Sequence, residues 1–147
     1  MKEADALADA GFDVRVLSSL LDPSFSEREK SLHEGKNWEN VRIFDATKAS
    51  RATVGYRRIR TRLANEIYRL TGRGNICQLG YVGPELLKEC LRHPSDLYSV
   101  HLEQGFCVGA ELARRGLPVA ADFEDWYSED LLPSARVKRP IGLLTNA

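Results

Sequence analysis

The sequence predicts an α/β fold, a parallel sheet with helices on both faces, and three observations predict it. Short β-prone runs alternate with longer stretches of helical period. The segment from Asp96 to Phe123 reads strand, helix, strand, a connection too long for a hairpin and therefore one that joins parallel strands. The 147 residues, 43% hydrophobic and 29% charged, suit a chain that buries one core, so a single domain over 1–147 is the default.

Taken in order, Lys2 to Ala10 is alanine-rich and stops at Gly11, which reads as a helix and its terminator. Phe12, Val14, Val16 and Leu17 form a short strand, and Ser18 to Glu34, with Asp22-Pro23 inside it, reads as a polar loop. Val41 to Phe44 is a second strand, flanked by Asp45 and Thr47 as a helix start. A long helix follows, since Tyr56, Ile59, Leu63, Ile67 and Leu70 recur in steps of three or four and Gly72 and Gly74 mark its end. Its arginines, Arg51, Arg57, Arg58, Arg60, Arg62, Arg69 and Arg73, read as a basic face opposite that stripe, either solvated or laid on anionic headgroups.

Pro84 opens the next helix, carrying Leu86, Leu87, Cys90 and Leu91, and Pro94 closes it. Leu97 to Val100 and Leu117 to Ala121 are the strands of the βαβ unit. The helix between them turns Phe106, Gly109 or Ala110, and Ala113 inward, and ends at Gly116. A parallel domain ordinarily opens with a strand, whereas this chain opens in a helix, and Pro140 to Ala147 begins an apolar run that stops. The expectation is a missing segment on each side, against the alternative of a first helix with no strand before it.

Twenty-one basic and 21 acidic side chains cancel, so the whole chain has no electrostatic footprint for nucleic acid. Cys77, Cys90 and Cys107 lack CxxC spacing, sit in apolar settings and fit a reducing compartment. No leader-like start and no apolar run of about 20 residues is present, so the chain reads as cytoplasmic or peripheral to a membrane. Gly72-Arg73-Gly74 lacks the third glycine of a dinucleotide fingerprint. Gly105 and Gly109 lack the Lys-Ser or Lys-Thr of a phosphate loop, and His33, His93 and His101 have no partner at metal spacing.

Ligands of open parallel sheets bind beyond the carboxyl ends of the strands, and His101 and Asp122 occupy two such ends. His101 has two readings: a half-buried histidine satisfied by a backbone carbonyl, or a group that bonds a sugar hydroxyl or phosphate oxygen. The helix start at Glu103, Gln104 and Gly105 aims its first amides at the same place, a candidate anion or hydroxyl site. From Asp122 to Asp130 the sequence holds five acids and two large aromatics. Carboxylates accept paired hydrogen bonds from hydroxyls and aromatic faces cover sugar rings, so the mixture suits a carbohydrate, with Asp122, Glu124 and Asp125 as site candidates and Trp126 and Tyr127 as the aromatic faces. The competing account is a helix start capped by Ser128, with acids favoured by the helix dipole.

Two blocks resemble the family 4 glycosyltransferases. Ala6 to Leu17 (Ala-Leu-Ala-Asp-Ala-Gly-Phe-Asp-Val-Arg-Val-Leu) is similar to the element after that family's first loop. Asp96 to His101, a helix, Arg115-Gly116-Leu117-Pro118-Val119 and Asp122-Phe123-Glu124-Asp125 are similar to a later strand ending in histidine and strand ending in an acidic motif.

The resemblance implies a Rossmann-like domain, the N-terminal, acceptor-side half of a two-domain GT-B enzyme that is retaining and metal-independent. The nucleotide-sugar donor is then a co-substrate bound mainly by a C-terminal domain, and the acceptor a sugar, glycan or lipid-linked glycan. No other cofactor is implied, and the chain alone is expected to be inactive. Under it, His101, which contacts the transferred sugar or supports the reaction in the cleft, and Asp122, Glu124 and Asp125, which line the same cleft, are the catalytic candidates, and Glu103, Gln104, Gly105, Trp126 and Tyr127 the acceptor-binding ones, although the family usually carries His or Asp where Glu124 stands and has a first strand and glycine loop not seen here. The alternative is a noncatalytic domain of the same fold that binds a protein or membrane surface, with peripheral contact through the basic helix 51–73.

Overall fold

The computed structural model describes residues 2–123, which hold five α-helices and four strands in the order α-β-α-β-α-α-β-α-β. The fold is α/β, and the strands form two separate two-stranded parallel sheets. The chain divides into two compact units, Met1–Val54 and Gly55–Ala147. The expected site residues Glu124, Asp125, Trp126 and Tyr127, and the acidic-aromatic run they belong to, lie outside the described residues.

The first unit is built on a β-α-β connection. Helix α1 (Lys2–Asp9) ends where the sequence says it must. Gly11 takes φ 92°, the Gly11 N–H donates to the Ala8 carbonyl and the Phe12 N–H to the Leu7 carbonyl, which satisfies two otherwise orphaned acceptors. Strand β1 (Arg15–Leu20) pairs in parallel with β2 (Glu39–Asp45), with a register shift between Ser18 and Ser19 that leaves Ile43 as the extra residue.

The expected polar loop from Ser18 to Glu34 is instead the end of β1, a short 3-10 turn (Pro23–Phe25) and helix α2 (Ser26–His33). Ser18 stays in the strand because its hydroxyl donates to Asn40 Oδ1 across the pair at 2.8 Å. Asp22-Pro23 breaks the strand by starting a helix: the Asp22 carboxylate accepts from the Ser24 N–H at 2.9 Å, and proline occupies the first turn. Ala4, Leu20, Trp38 and Phe44 are the buried apolar residues here. Asp5 of α1 accepts hydrogen bonds from Lys36 Nζ and Trp38 Nε1 at 2.9 and 2.8 Å.

The second unit holds helices α3 (Arg51–Thr71, begun just before the boundary), α4 (Gly83–Arg92) and α5 (Leu102–Arg114), with strands β3 (Tyr98–His101) and β4 (Val119–Asp122). The strands on either side of α5 are parallel, as expected, in the register Tyr98↔Val119 through His101↔Asp122. Leu112 and Val82 are fully buried, and Phe106, Cys107, Val108 and Val100 complete the core around them. At its end α5 repeats the closure of α1. Gly116 takes φ 79°, its N–H donates to the Ala113 carbonyl and the Leu117 N–H to the Leu112 carbonyl.

Two expectations are corrected. On α5 the inward residues are Phe106, Cys107, Val108, Gly109 and Leu112, whereas Ala113 is exposed. The contact with the sheet is centred on Gly109, whose missing side chain admits Val100 and Val119. On α3 the faces are exchanged: Tyr56, Ile59, Leu63, Ile67 and Leu70 are 51–80% exposed, and two of the arginines read as solvated point inward. Arg57 and Arg60 both donate to the Tyr81 carbonyl at 2.7 Å and both pair with Glu85 of α4 at 2.9 Å. Thr61 donates to the Gly80 carbonyl and Gln78 to Asn65 Oδ1, so α3 is joined to the segment from Gln78 to Glu85 by a polar seam. Hydrogen-bonding capacity decides this. The carbonyls before α4 and its first-turn carboxylate need donors, and long guanidinium groups supply them.

Candidate functional site

Side chains two apart on a strand share a face, so in β3 Tyr98 and Val100 point into the core while Ser99 and His101 point away from it. The parallel register puts Asp122, the last residue of β4, beside His101, the last residue of β3. Their side chains meet, with His101 Nδ1 3.4 Å from Asp122 Oδ2, and His101 Nε2 lies 3.4 Å from the Ser99 hydroxyl. His101 is half-buried and Asp122 is 58% exposed, so the pair is open to a ligand.

A carboxylate beside Nδ1 favours the proton on that nitrogen, which leaves Nε2 with a lone pair turned toward the Ser99 hydroxyl. Nε2 thus accepts from the Ser99 hydroxyl, and Asp122 retains lone pairs for further donors. This is the constellation that a hydroxyl-rich ligand needs, with donors and acceptors alternating over a few ångströms. Ser99 is the member that the sequence reading missed. The signal was its place two residues before His101 on the same strand.

The backbone turns abruptly here. Leu102, immediately after His101, has φ 63°, a left-handed conformation that costs a leucine about 1–2 kcal/mol, and α5 begins at that residue. Strand thus passes to helix with no intervening loop, which fixes the imidazole between sheet and helix start. Glu103 is half-buried in the first turn.

The next two candidates face elsewhere. With its amide oriented to satisfy both neighbours, the Gln104 side-chain oxygen accepts from the Val82 and Gly83 N–H groups at 3.2 and 2.8 Å, and so caps α4. Gly105 lies against Val100, with the nearest atom 3.6 Å from where a Cβ would stand. Phe123 stacks on Phe106 of α5, ring centroids 4.5 Å apart, directly after the acidic strand end.

No family model, curated protein or solved structure matches the chain. The roles of these residues therefore rest on their chemistry and placement.

The first unit has a strand-end cleft of its own, which sequence reading did not single out. About 590 Å³ in volume, it lies where β1 ends at Leu20 and β2 at Asp45, and Lys30, His33, Arg42 and Lys48 contribute to its walls. Within it Asp45 Oδ1 accepts from the Thr47 N–H and the Thr47 hydroxyl. The Thr47 hydroxyl bond above all holds the Asp45 carboxyl below the usual range, against the opposing effect of burial. No described helix is long and apolar enough to cross a membrane.

Proposed function

We propose that this chain is the acceptor-side, N-terminal part of a retaining, nucleotide-sugar-dependent glycosyltransferase with a Rossmann-like GT-B fold, and that its β3–β4 strand ends hold a sugar hydroxyl. The observation that carries the proposal is the pairing of His101 with Asp122, residues far apart in sequence, at the carboxyl ends of neighbouring parallel strands. Asp122 orients the imidazole, and a sugar hydroxyl takes the place of the Ser99 hydroxyl at His101 Nε2. The acidic and aromatic residues Glu124, Asp125, Trp126 and Tyr127 follow Asp122 in sequence and would line the acceptor. The donor sugar and its nucleotide belong to a second domain in this reading, so the chain alone turns over nothing.

Saturation-transfer NMR on the full chain with a panel of hexoses, N-acetylhexosamines and inositol tests it. Sugar signals that vanish in both His101→Ala and Asp122→Asn, with circular dichroism unchanged, are expected. No signal from any sugar, or signals indifferent to both substitutions, would refute the proposal and favour a noncatalytic domain.

A further inference from the structure

Scattered exposed apolar residues need no explanation, but five in line on one helix do. At about 100° per residue, Tyr56, Ile59, Leu63, Ile67 and Leu70 fall within roughly 80° of arc and extend for about 21 Å along α3. The side of the helix that runs on from Ile67, through Arg60 and Arg57 to Thr61 and Asn65, is committed to the polar seam. The stripe is therefore an outer face held in place by the seam beside it.

On the other flank, roughly 60–100° round from Ile59 at the stripe's edge, run Arg62, Arg69 and Arg58, all exposed, with Arg73 just past the helix end. Glu66 is the acid on this side, and it pairs with Arg69 at 3.3 Å. A partner for this face must present apolar depth and negative charge along the same line. A second copy of α3 offers the first without the second, since it brings its own arginines and the same single glutamate.

We propose that this face of α3 docks on an anionic lipid surface. The stripe enters the acyl boundary, and the arginine row, stems lying along the apolar edge, reaches the headgroup phosphates. The helix lies in the plane of the surface and does not cross it. This inference is independent of the sugar reading, because none of its residues belongs to the strand-end pair.

The test is co-sedimentation of the full chain with vesicles of phosphatidylcholine and phosphatidylglycerol, and with phosphatidylcholine alone, beside analytical ultracentrifugation without lipid. Binding to the anionic vesicles that weakens with added salt is expected, with much weaker binding to the neutral ones. Each arginine contributes roughly fivefold, so Arg58→Gln with Arg62→Gln should weaken binding about twenty-five-fold. Leu63→Asp, at an exposed position, should abolish binding with the circular dichroism intact. Absence of binding to anionic vesicles, binding indifferent to Leu63→Asp, or a dimer in solution that Leu63→Asp dissolves, would each overturn the proposal.

Discussion

Adding one methyl group at Gly109 or at Gly105, four residues apart on α5, should move stability in opposite directions. A Cβ on Gly109 would stand 2.9 Å from one Val100 methyl, 3.3 Å from the other and 3.1 Å from a Val119 methyl. Carbon pairs are comfortable at about 3.5–4.0 Å, so the overlap is several tenths of an ångström against three atoms. Both neighbours are β-branched and held in their rotamers by the strands, so neither can swing aside. Overpacking of this kind costs about 1–3 kcal/mol, and the better helix propensity of alanine returns about 1 kcal/mol. Gly109→Ala should thus lose up to about 2 kcal/mol. At Gly105 the nearest atom would be 3.6 Å away, an ordinary contact, so Gly105→Ala keeps the propensity term and gains about 0.5–1 kcal/mol. Urea denaturation followed by circular dichroism should separate the two midpoints by about 1 M, given slopes of about 1–3 kcal/mol/M. A midpoint for Gly109→Ala equal to or above that of Gly105→Ala would show that α5 does not sit on β3 and β4 as described.

Glu85→Gln leaves two inward guanidinium groups without their carboxylate. Because Glu85 keeps 31% of its side-chain exposure, the loss should be nearer about 1–2 kcal/mol than the larger figure for a fully buried pair. Burial works to raise the Glu85 carboxyl, but the Arg60 hydrogen bond and the charges of Arg57 and Arg60 outweigh it and hold it below its ordinary 4.5. The stabilisation is then complete above pH 4.5 and lost as pH falls through the lowered value, so wild type and Glu85→Gln should converge in strongly acidic urea titrations. Burial, with a smaller effect of Glu103, pushes the Cys107 thiol up to about 11, and Cys90 is also buried, whereas Cys77 is partly exposed. A thiol reagent at neutral pH should label Cys77 first and reach Cys107 after unfolding, and mass spectrometry of the labelled peptides shows the order. Replacing Leu102 with glycine should relieve the left-handed strain at φ 63° and raise the melting midpoint, or at least not lower it, a comparison that calorimetry makes directly.

Much of the order of elements was legible because helix ends are written locally. Gly11, Gly72 and Gly116 all take positive φ where helices stop, and Pro84 stands in the first turn of α4. The βαβ unit around α5 was legible for the same reason, and with it the meeting of His101 and Asp122. The α2 segment was not, because SEREKSLH carries little apolar periodicity and its start signal, Asp22-Pro23, also reads as a turn. Nor could periodicity say which side of α3 faces inward. It finds a stripe at Tyr56, Ile59 and Leu63 but not the carbonyls at Gly80 and Tyr81 that draw Arg57, Arg60 and Thr61 the other way. Ser99 went unseen because a lone serine in a short strand carries no signal of its own beyond sharing a face with His101 two residues on.

The seam beneath α3 has a thermodynamic corollary. An element held by guanidinium, carboxylate and carbonyl groups uncovers little oily area when it lets go, so its release carries a small heat-capacity increment and a shallow dependence on denaturant. Ionic strength, which leaves the interior around Leu112 untouched, loosens those charged contacts. Amide exchange along α3 should thus quicken with added salt while α5 keeps its protection, and the helix can detach as a unit before the rest of the chain unfolds.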